Sequence, residues 1–123
     1  MVMKKVLIVD DSPIVRQQVK LALGETAFEF LEASDGMEGL SKLEGDPDIA
    51  LVILDVNMPR MSGLEMLEKV KEGGKNPGMH VVMLTGEGQH SMIDRAKKAG
   101  AKGWIVKPFK PELLSAAIRK LVA

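Results

Sequence analysis

The chain has 123 residues, 46% of them hydrophobic, and its 17 Lys and Arg balance its 17 Asp and Glu. That is enough chain for one ordinary domain with a real core, and a net charge of zero argues against a nucleic-acid binder, which needs a basic footprint. The absence of cysteine excludes a disulfide framework and a thiolate zinc site. The N-terminal apolar runs are too short for a signal peptide or a membrane span, so a cytoplasmic protein without membrane insertion is expected.

In chain order, Val6-Leu7-Ile8-Val9 is an uninterrupted apolar run stopped by Asp10-Asp11-Ser12-Pro13. Continuous runs of this kind mark parallel strands covered on both faces. Ser12 is placed to cap a helix with Pro13 at its first position. Val15, Val19, Ala22 and Leu23 form that helix's apolar stripe up to Gly24. Ala27 to Ala33 is a second strand, interrupted by Glu29 and Glu32 as an edge strand would be. A short helix with Met37, Leu40 and Leu43 ends at Gly45-Asp46-Pro47. The next run, Leu51-Val52-Ile53-Leu54, delivers Asp55 into the polar loop that leads through Asn57, Pro59 and Gly63.

Leu64, Leu67 and Val70 give a third helix, ended by Gly73-Gly74. Met79 to Leu84 is a fourth strand terminating at Thr85-Gly86-Glu87-Gly88, and a fourth helix carries Met92, Ile93, Ala96 and Ala99. Trp104-Ile105-Val106 forms a short fifth strand. Lys107-Pro108-Phe109-Lys110-Pro111 then leads to a last helix with Leu113, Leu114, Ala117, Ile118 and Leu121. Met58 and Met61 are read as shielding a pocket rim, Met92 as a core filler, and Phe109 as a plug at the base of the last helix.

Strands alternating with helices imply right-handed crossovers and a five-stranded parallel α/β sheet flanked by five helices. The first, third and fourth strands are the most apolar and belong in the middle, which the order 2-1-3-4-5 satisfies. Ligands of such sheets bind beyond the C-terminal strand ends where the winding reverses, between strands one and three. There Asp10, Asp11 and Asp55 would meet. Three converging carboxylates repel one another unless a cation intervenes. Magnesium suits an oxygen-only set, with two carboxylates, a backbone carbonyl near Asn57 and waters around it.

A carboxylate beside a metal, a hydroxyl and an ammonium group is equipped to act as a nucleophile toward phosphorus. Lys107 would neutralise oxygens of the phosphoryl group and Thr85 would donate through its hydroxyl. Each residue alone reads equally as a strand-end cap or a solvated side chain; the weight lies in their shared rim.

Asp10-Asp11, Asp55 with Asn57-Met58-Pro59 and Met61-Ser62-Gly63, Thr85-Gly86, and Lys107-Pro108-Phe109 together resemble the receiver domain of bacterial two-component response regulators. The resemblance spans nearly the whole chain, read as a single domain over 1–123, and implies the flavodoxin-like arrangement for which chemotaxis receivers are a standing example of the 2-1-3-4-5 order. It implies that Asp55 takes a phosphoryl group from a sensor histidine kinase. It further implies that Asp11, Asp55 and the Asn57 carbonyl bind Mg²⁺ while Asp10 holds a metal-bound water. Lys107 would contact the phosphoryl group, and Thr85 would follow it and let the aromatic residue at 104 move inward. That position is usually Tyr or Phe; here it is Trp104, a bulkier ring whose N–H wants a partner, so a weaker or differently shaped coupling is expected. Asn57 and Glu87 occupy the positions that modulate self-dephosphorylation, and their polar identity resembles fast-resetting chemotaxis regulators.

The resulting expectation is a phosphoacceptor switch with self-dephosphorylation, not a conventional turnover enzyme. Its output would be protein–protein contact, chemotaxis-type first, toward a flagellar motor switch protein, a phosphatase or a phosphotransfer protein. A phosphorelay intermediate is the alternative output. A small Asp-nucleophile, Mg²⁺-dependent phosphatase is disfavoured by Asn57, which stands where a second acid would, and by the lack of a cap segment. A nucleotide- or flavin-binding protein lacks its glycine-rich phosphate loop.

Overall fold

The computed structural model describes residues 3–24, 27–58, 60–73, 78–86 and 92–122. Pro59, Gly74, Glu87 and Gly88, all used above, lie outside the described residues. The described chain runs β1 (Lys5–Val9), α1 (Pro13–Leu23), β2 (Glu29–Ala33), α2 (Gly36–Gly45), β3 (Ile49–Asp55), α3 (Gly63–Gly73), β4 (His80–Thr85), α4 (Ile93–Lys98), β5 (Gly103–Val106) and α5 (Pro111–Val122). The five strands pair in parallel in the order β2-β1-β3-β4-β5, as expected from their apolarity.

The sheet separates two cores because strand side chains alternate between its faces. Val6, Ile8, Leu51, Ile53, Val82 and Leu84 pack with Val19 and Leu23 of α1 and Leu114 and Ile118 of α5. Leu7, Val9, Val52, Leu54, Val81 and Met83 pack on the other side with Leu43, Leu64, Met66, Leu67 and Ala96 of α2, α3 and α4. The central strands are buried on both faces, which is why their sequences are continuous apolar runs rather than alternating ones. Among the described residues, no helix is long and apolar enough to cross a membrane.

Local chemistry fixes the boundaries. The Ser12 hydroxyl accepts from the Val15 N–H at 3.3 Å with Pro13 at the first helical position. Gly24 closes α1 with φ 93°, a conformation that glycine takes without penalty.

Several expected boundaries move. The second strand begins at Glu29 rather than Ala27, because the Ala27 N–H is taken in a turn by the Gly24 carbonyl. The fourth strand runs from His80 through Thr85 rather than from Met79 to Leu84, since Thr85 still pairs with Val106 of β5. Met92 precedes α4 instead of lying within it. Met37 and Leu113, named above among the apolar residues of their helices, are 54% and 63% exposed. In α5 the buried stripe is Leu114, Ile118 and Val122, and Leu113 lies about 100° round the helix from Leu114. Met61 is buried, Met58 and Met92 are half-buried against the same core, and Phe109 packs beside α1 and α5.

Candidate functional site: an acidic cluster at the C-terminal rim

Register and alternation bring the acids together. Val9 pairs with Leu54, so the next residues outward on these adjacent strands are Asp10 and Asp55. Both continue the alternation of Val6, Ile8, Leu51 and Ile53 and so fall on the α1/α5 side of the sheet; Lys107, two residues beyond Ile105, joins them there. The result is a carboxylate oxygen from each of Asp10, Asp11 and Asp55 within 4.8 Å of the others. The Lys107 Nζ donates to Asp10 Oδ2 at 2.8 Å and stands 3.2 Å from Asp55 Oδ1.

Asp10 is fully buried and heavily engaged. Its main-chain N–H donates to the Ala33 carbonyl, and its Oδ1 accepts from the Ser12 N–H at 2.9 Å. Its own carbonyl accepts from Arg16 Nη1 at 2.5 Å, and the same guanidinium donates through Nε to Glu32. Asp11 is exposed, so the cluster has an open side. The main-chain N–H of Lys107 donates to the Thr85 carbonyl at 2.6 Å, which fixes its side chain against the ends of the inner strands. The Lys107–Pro108 peptide is cis.

Asp55 carries the strongest electrostatic burden. It is 5% exposed, and burial, reinforced by the charge of Asp10, pushes its pKa up to about 6. The Lys107 ammonium and the Asn57 main-chain N–H, which bonds its carboxylate, pull in the opposite direction. Burial also works against the charge of Lys107, but the hydrogen bond from its ammonium to Asp10 and the nearby charges of Asp10 and Asp55 outweigh it and hold the pKa above the ordinary lysine value.

Below Asp55 the main chain is packed to contact. A Cβ on Gly63 would stand 2.0 Å from the Asp55 carbonyl oxygen, so only glycine fits where α3 begins. The Gly63 N–H donates to the Val56 carbonyl at 2.9 Å, and the Val56 N–H to the Leu84 carbonyl at 3.0 Å.

The sequence therefore located Asp10, Asp11, Asp55 and Lys107 at one place. Asn57 contributes main chain here, its side chain being exposed. Thr85 is buried, its hydroxyl donating to the Gly86 carbonyl at 3.2 Å. By alternation it shares the Met83 and Trp104 side of the sheet rather than that of Asp55. Trp104 is half-buried against the core on that side. Glu87 lies outside the described residues.

Sequence reading missed three supports: Arg16 behind Asp10, the steric demand at Gly63, and the ion pair of Arg60 with Asp35. Asp35 followed by Glu38 three residues later is a helix-start pattern that would have revealed the cap; Arg60 carries no comparable signal.

The cluster can hold a metal ion. Its donors are all carboxylate oxygens, which suits a hard divalent cation better than a sulfur- or nitrogen-seeking one.

The profile of the response regulator receiver domain family matches residues 6–119. The chain is 41% identical over 120 residues to the chemotaxis protein CheY of Listeria monocytogenes, covering 96% of this chain and 98% of the relative. It is 39% identical over 111 residues to the chemotaxis protein CheY1 of Helicobacter pylori, covering 89% and 90%. The structure of the Vibrio cholerae chemotaxis protein CheY4 superposes with a TM-score of 0.88 at 38% identity, covering 98% of this chain and 99% of that one. A matching profile over most of the length, carried on the same parallel sheet with its acids at the switch-point rim, means that the chain belongs to the response regulator receiver domain family.

Proposed function

We propose that the protein is a phosphorylation-controlled switch with a chemotaxis-type output, in which Asp55 is the phosphoryl acceptor. The observation that carries this reading is the convergence of Asp10, Asp11 and Asp55 with the Lys107 ammonium within reach of two of the three acids. The donor is a phosphohistidine of a sensor histidine kinase. An Asp55 carboxylate oxygen attacks phosphorus, the P–N bond breaks, and its electron pair leaves on the imidazole nitrogen. The product is an acyl phosphate on Asp55.

With a pKa of about 6, Asp55 is mostly ionised at neutral pH and available as the nucleophile. Lys107, already directed at Asp55, stabilises negative charge on the phosphoryl oxygens. Asp11, Asp55 and the Asn57 main-chain carbonyl would hold Mg²⁺, with Asp10 holding a metal-bound water. The ion supplies the positive charge that makes a dianionic phosphoryl group tolerable beside three acids. Thr85, at the seam between the site and the Trp104 side of the sheet, relays the change to the surface around α4, β5 and α5. There the readout is contact with another protein, and the similarity to chemotaxis proteins favours a flagellar motor switch protein. Asn57 and Glu87 tune the hydrolysis that resets the switch, and the cytoplasm is the compartment in which such a kinase and motor component are met.

Incubation with Mg²⁺ and acetyl phosphate, followed by intact-mass measurement and mapping, tests the reading. A phosphoryl adduct on Asp55 that requires Mg²⁺ and disappears in Asp55→Asn is the expected result. Rapid turnover of many phosphomonoesters without an adduct would instead identify a phosphatase.

A further inference from the structure

The segment that follows Asp55 is tied down well beyond the acidic cluster. Its inner end is held by the Gly63 N–H on the Val56 carbonyl and by the seat of Gly63 against Asp55. Farther out, Arg60 takes a φ of 66°, the left-handed conformation that a residue with a Cβ rarely adopts. Its guanidinium is ion-paired to Asp35 at the start of α2.

Asp35 is 2% exposed. Its Oδ1 accepts from the Glu38 N–H at 2.9 Å as the cap of α2, while Oδ2 takes Arg60. The two neighbours repeat the contact: a Cβ on Gly36 would lie 2.9 Å from the Met61 Cγ, so the residue after Asp35 is packed on the residue after Arg60. The acceptor segment is thus fastened to α2 by one ion pair, between a largely exposed guanidinium and a buried carboxylate, and one close apolar contact.

We propose that Asp35 and Arg60 are positioning residues: their ion pair holds the segment after β3 so that the Asn57 main chain stays beside the Asp55 carboxylate. This rests on the reading of Asp55 as acceptor and concerns residues that do not touch the reacting atoms. A glycine at 60 would take the left-handed backbone freely, so the arginine's contribution there is its guanidinium. The pair also gives a buried carboxylate the partner that burial demands. Because the Asn57 N–H bonds Asp55 and its carbonyl is the proposed metal ligand, a small drift of the segment reaches both.

Stability and function should move apart in the test. Arg60→Gly removes the guanidinium but suits the backbone, so relief of the left-handed conformation offsets much of what Asp35 loses with its partner and the urea midpoint should fall only slightly. Its Mg²⁺ affinity should nevertheless fall about tenfold, the lower end of what loss of an orienting partner behind a metal ligand costs. In metal-free protein its Gly63 amide should exchange faster with solvent. Asp35→Asn keeps a good cap and should give the same losses, and the double variant should be no worse than either single one. Arg60→Lys should restore part of the affinity. Parental Mg²⁺ affinity and Gly63 exchange in Arg60→Gly, or losses that merely follow a lowered midpoint, would overturn the proposal. Failure of the parent protein to accept a phosphoryl group would refute the acceptor reading alone, since cation binding and metal-free exchange still decide the clamp.

Discussion

Neutralising Asp55 should stabilise the metal-free protein. Its pKa of about 6 stands roughly 2 units above the ordinary carboxylate value of 3.8, and each unit corresponds to about 1.4 kcal/mol. A folded-state pKa raised above the unfolded one means that the folded chain holds more protons between about pH 4 and pH 6. Stability from this group is therefore complete below pH 4 and is lost as pH rises through 6, leaving a cost of about 3 kcal/mol at pH 7. Asn is nearly isosteric and carries no charge. Its amide nitrogen cannot accept from Lys107 or from the Asn57 N–H, so a net gain of about 2 kcal/mol is expected for Asp55→Asn in EDTA at pH 7.

Urea denaturation of both proteins in EDTA measures it, as a higher midpoint for Asp55→Asn with an unchanged slope. With the same offset for the lost acceptor, the difference should shrink to about a third at pH 5 and be gone by pH 4. Added Mg²⁺ should erase it at pH 7 and slightly reverse it, because binding stabilises the parent by about 2.7 kcal/mol at a hundred times the dissociation constant. An Asp55→Asn protein less stable than its parent in EDTA at pH 7, or a gain constant from pH 4 to 7, would refute the account of the site as stored repulsion.

Lys107→Met leaves Asp10 and Asp55 facing each other with no cation between them. The metal-free protein should lose about 2 kcal/mol at neutral pH, discounted from the buried-pair range because the ammonium is a quarter exposed. Asp55 should titrate above its parental value by carboxyl NMR, and a fall would contradict the assignment. Gly63→Ala should cost about 3 kcal/mol or more in thermal or urea unfolding, because its Cβ has no room against the Asp55 carbonyl; a neutral substitution would mean that the close approach is not there. Trp104 is the sole tryptophan, so its emission and quenching constant should change when Asp55 is phosphorylated, and unaltered values would remove it from the switch.

What the sequence made readable was whatever repeats along the chain or stops abruptly. The apolar runs at Val6–Val9 and Leu51–Leu54 are continuous because both faces of these strands are buried, and their abrupt ends fix where the acids emerge. Lys107 could be assigned to the same rim because it, too, follows a strand. Helix faces were less secure. Leu113 and Met37 are apolar residues on a solvent side, and residue type alone cannot distinguish an apolar side chain pointing inward from one pointing out. The Arg60–Asp35 pair joins positions 25 residues apart, and nothing local in the sequence encodes such a contact.

The alternation of the sheet bears on how a signal leaves the site. Asp10, Asp55 and Lys107 point toward α1 and α5, whereas Thr85 and Trp104 occupy the opposite side, with Met83 between them in β4 register. A phosphoryl group placed on Asp55 would therefore lie on the other side of the sheet from Trp104. One route between them runs past the end of β4, where the Lys107 N–H donates to the Thr85 carbonyl at 2.6 Å while the Thr85 hydroxyl donates to the Gly86 carbonyl. Lys107 touches both systems at once, through its ammonium on the acids and its main chain on β4. The charge change at Asp55 and the backbone of the output strands thus share one residue. A rearranged Lys107 would carry the change across the sheet whether or not the indole itself moves as a smaller aromatic ring would.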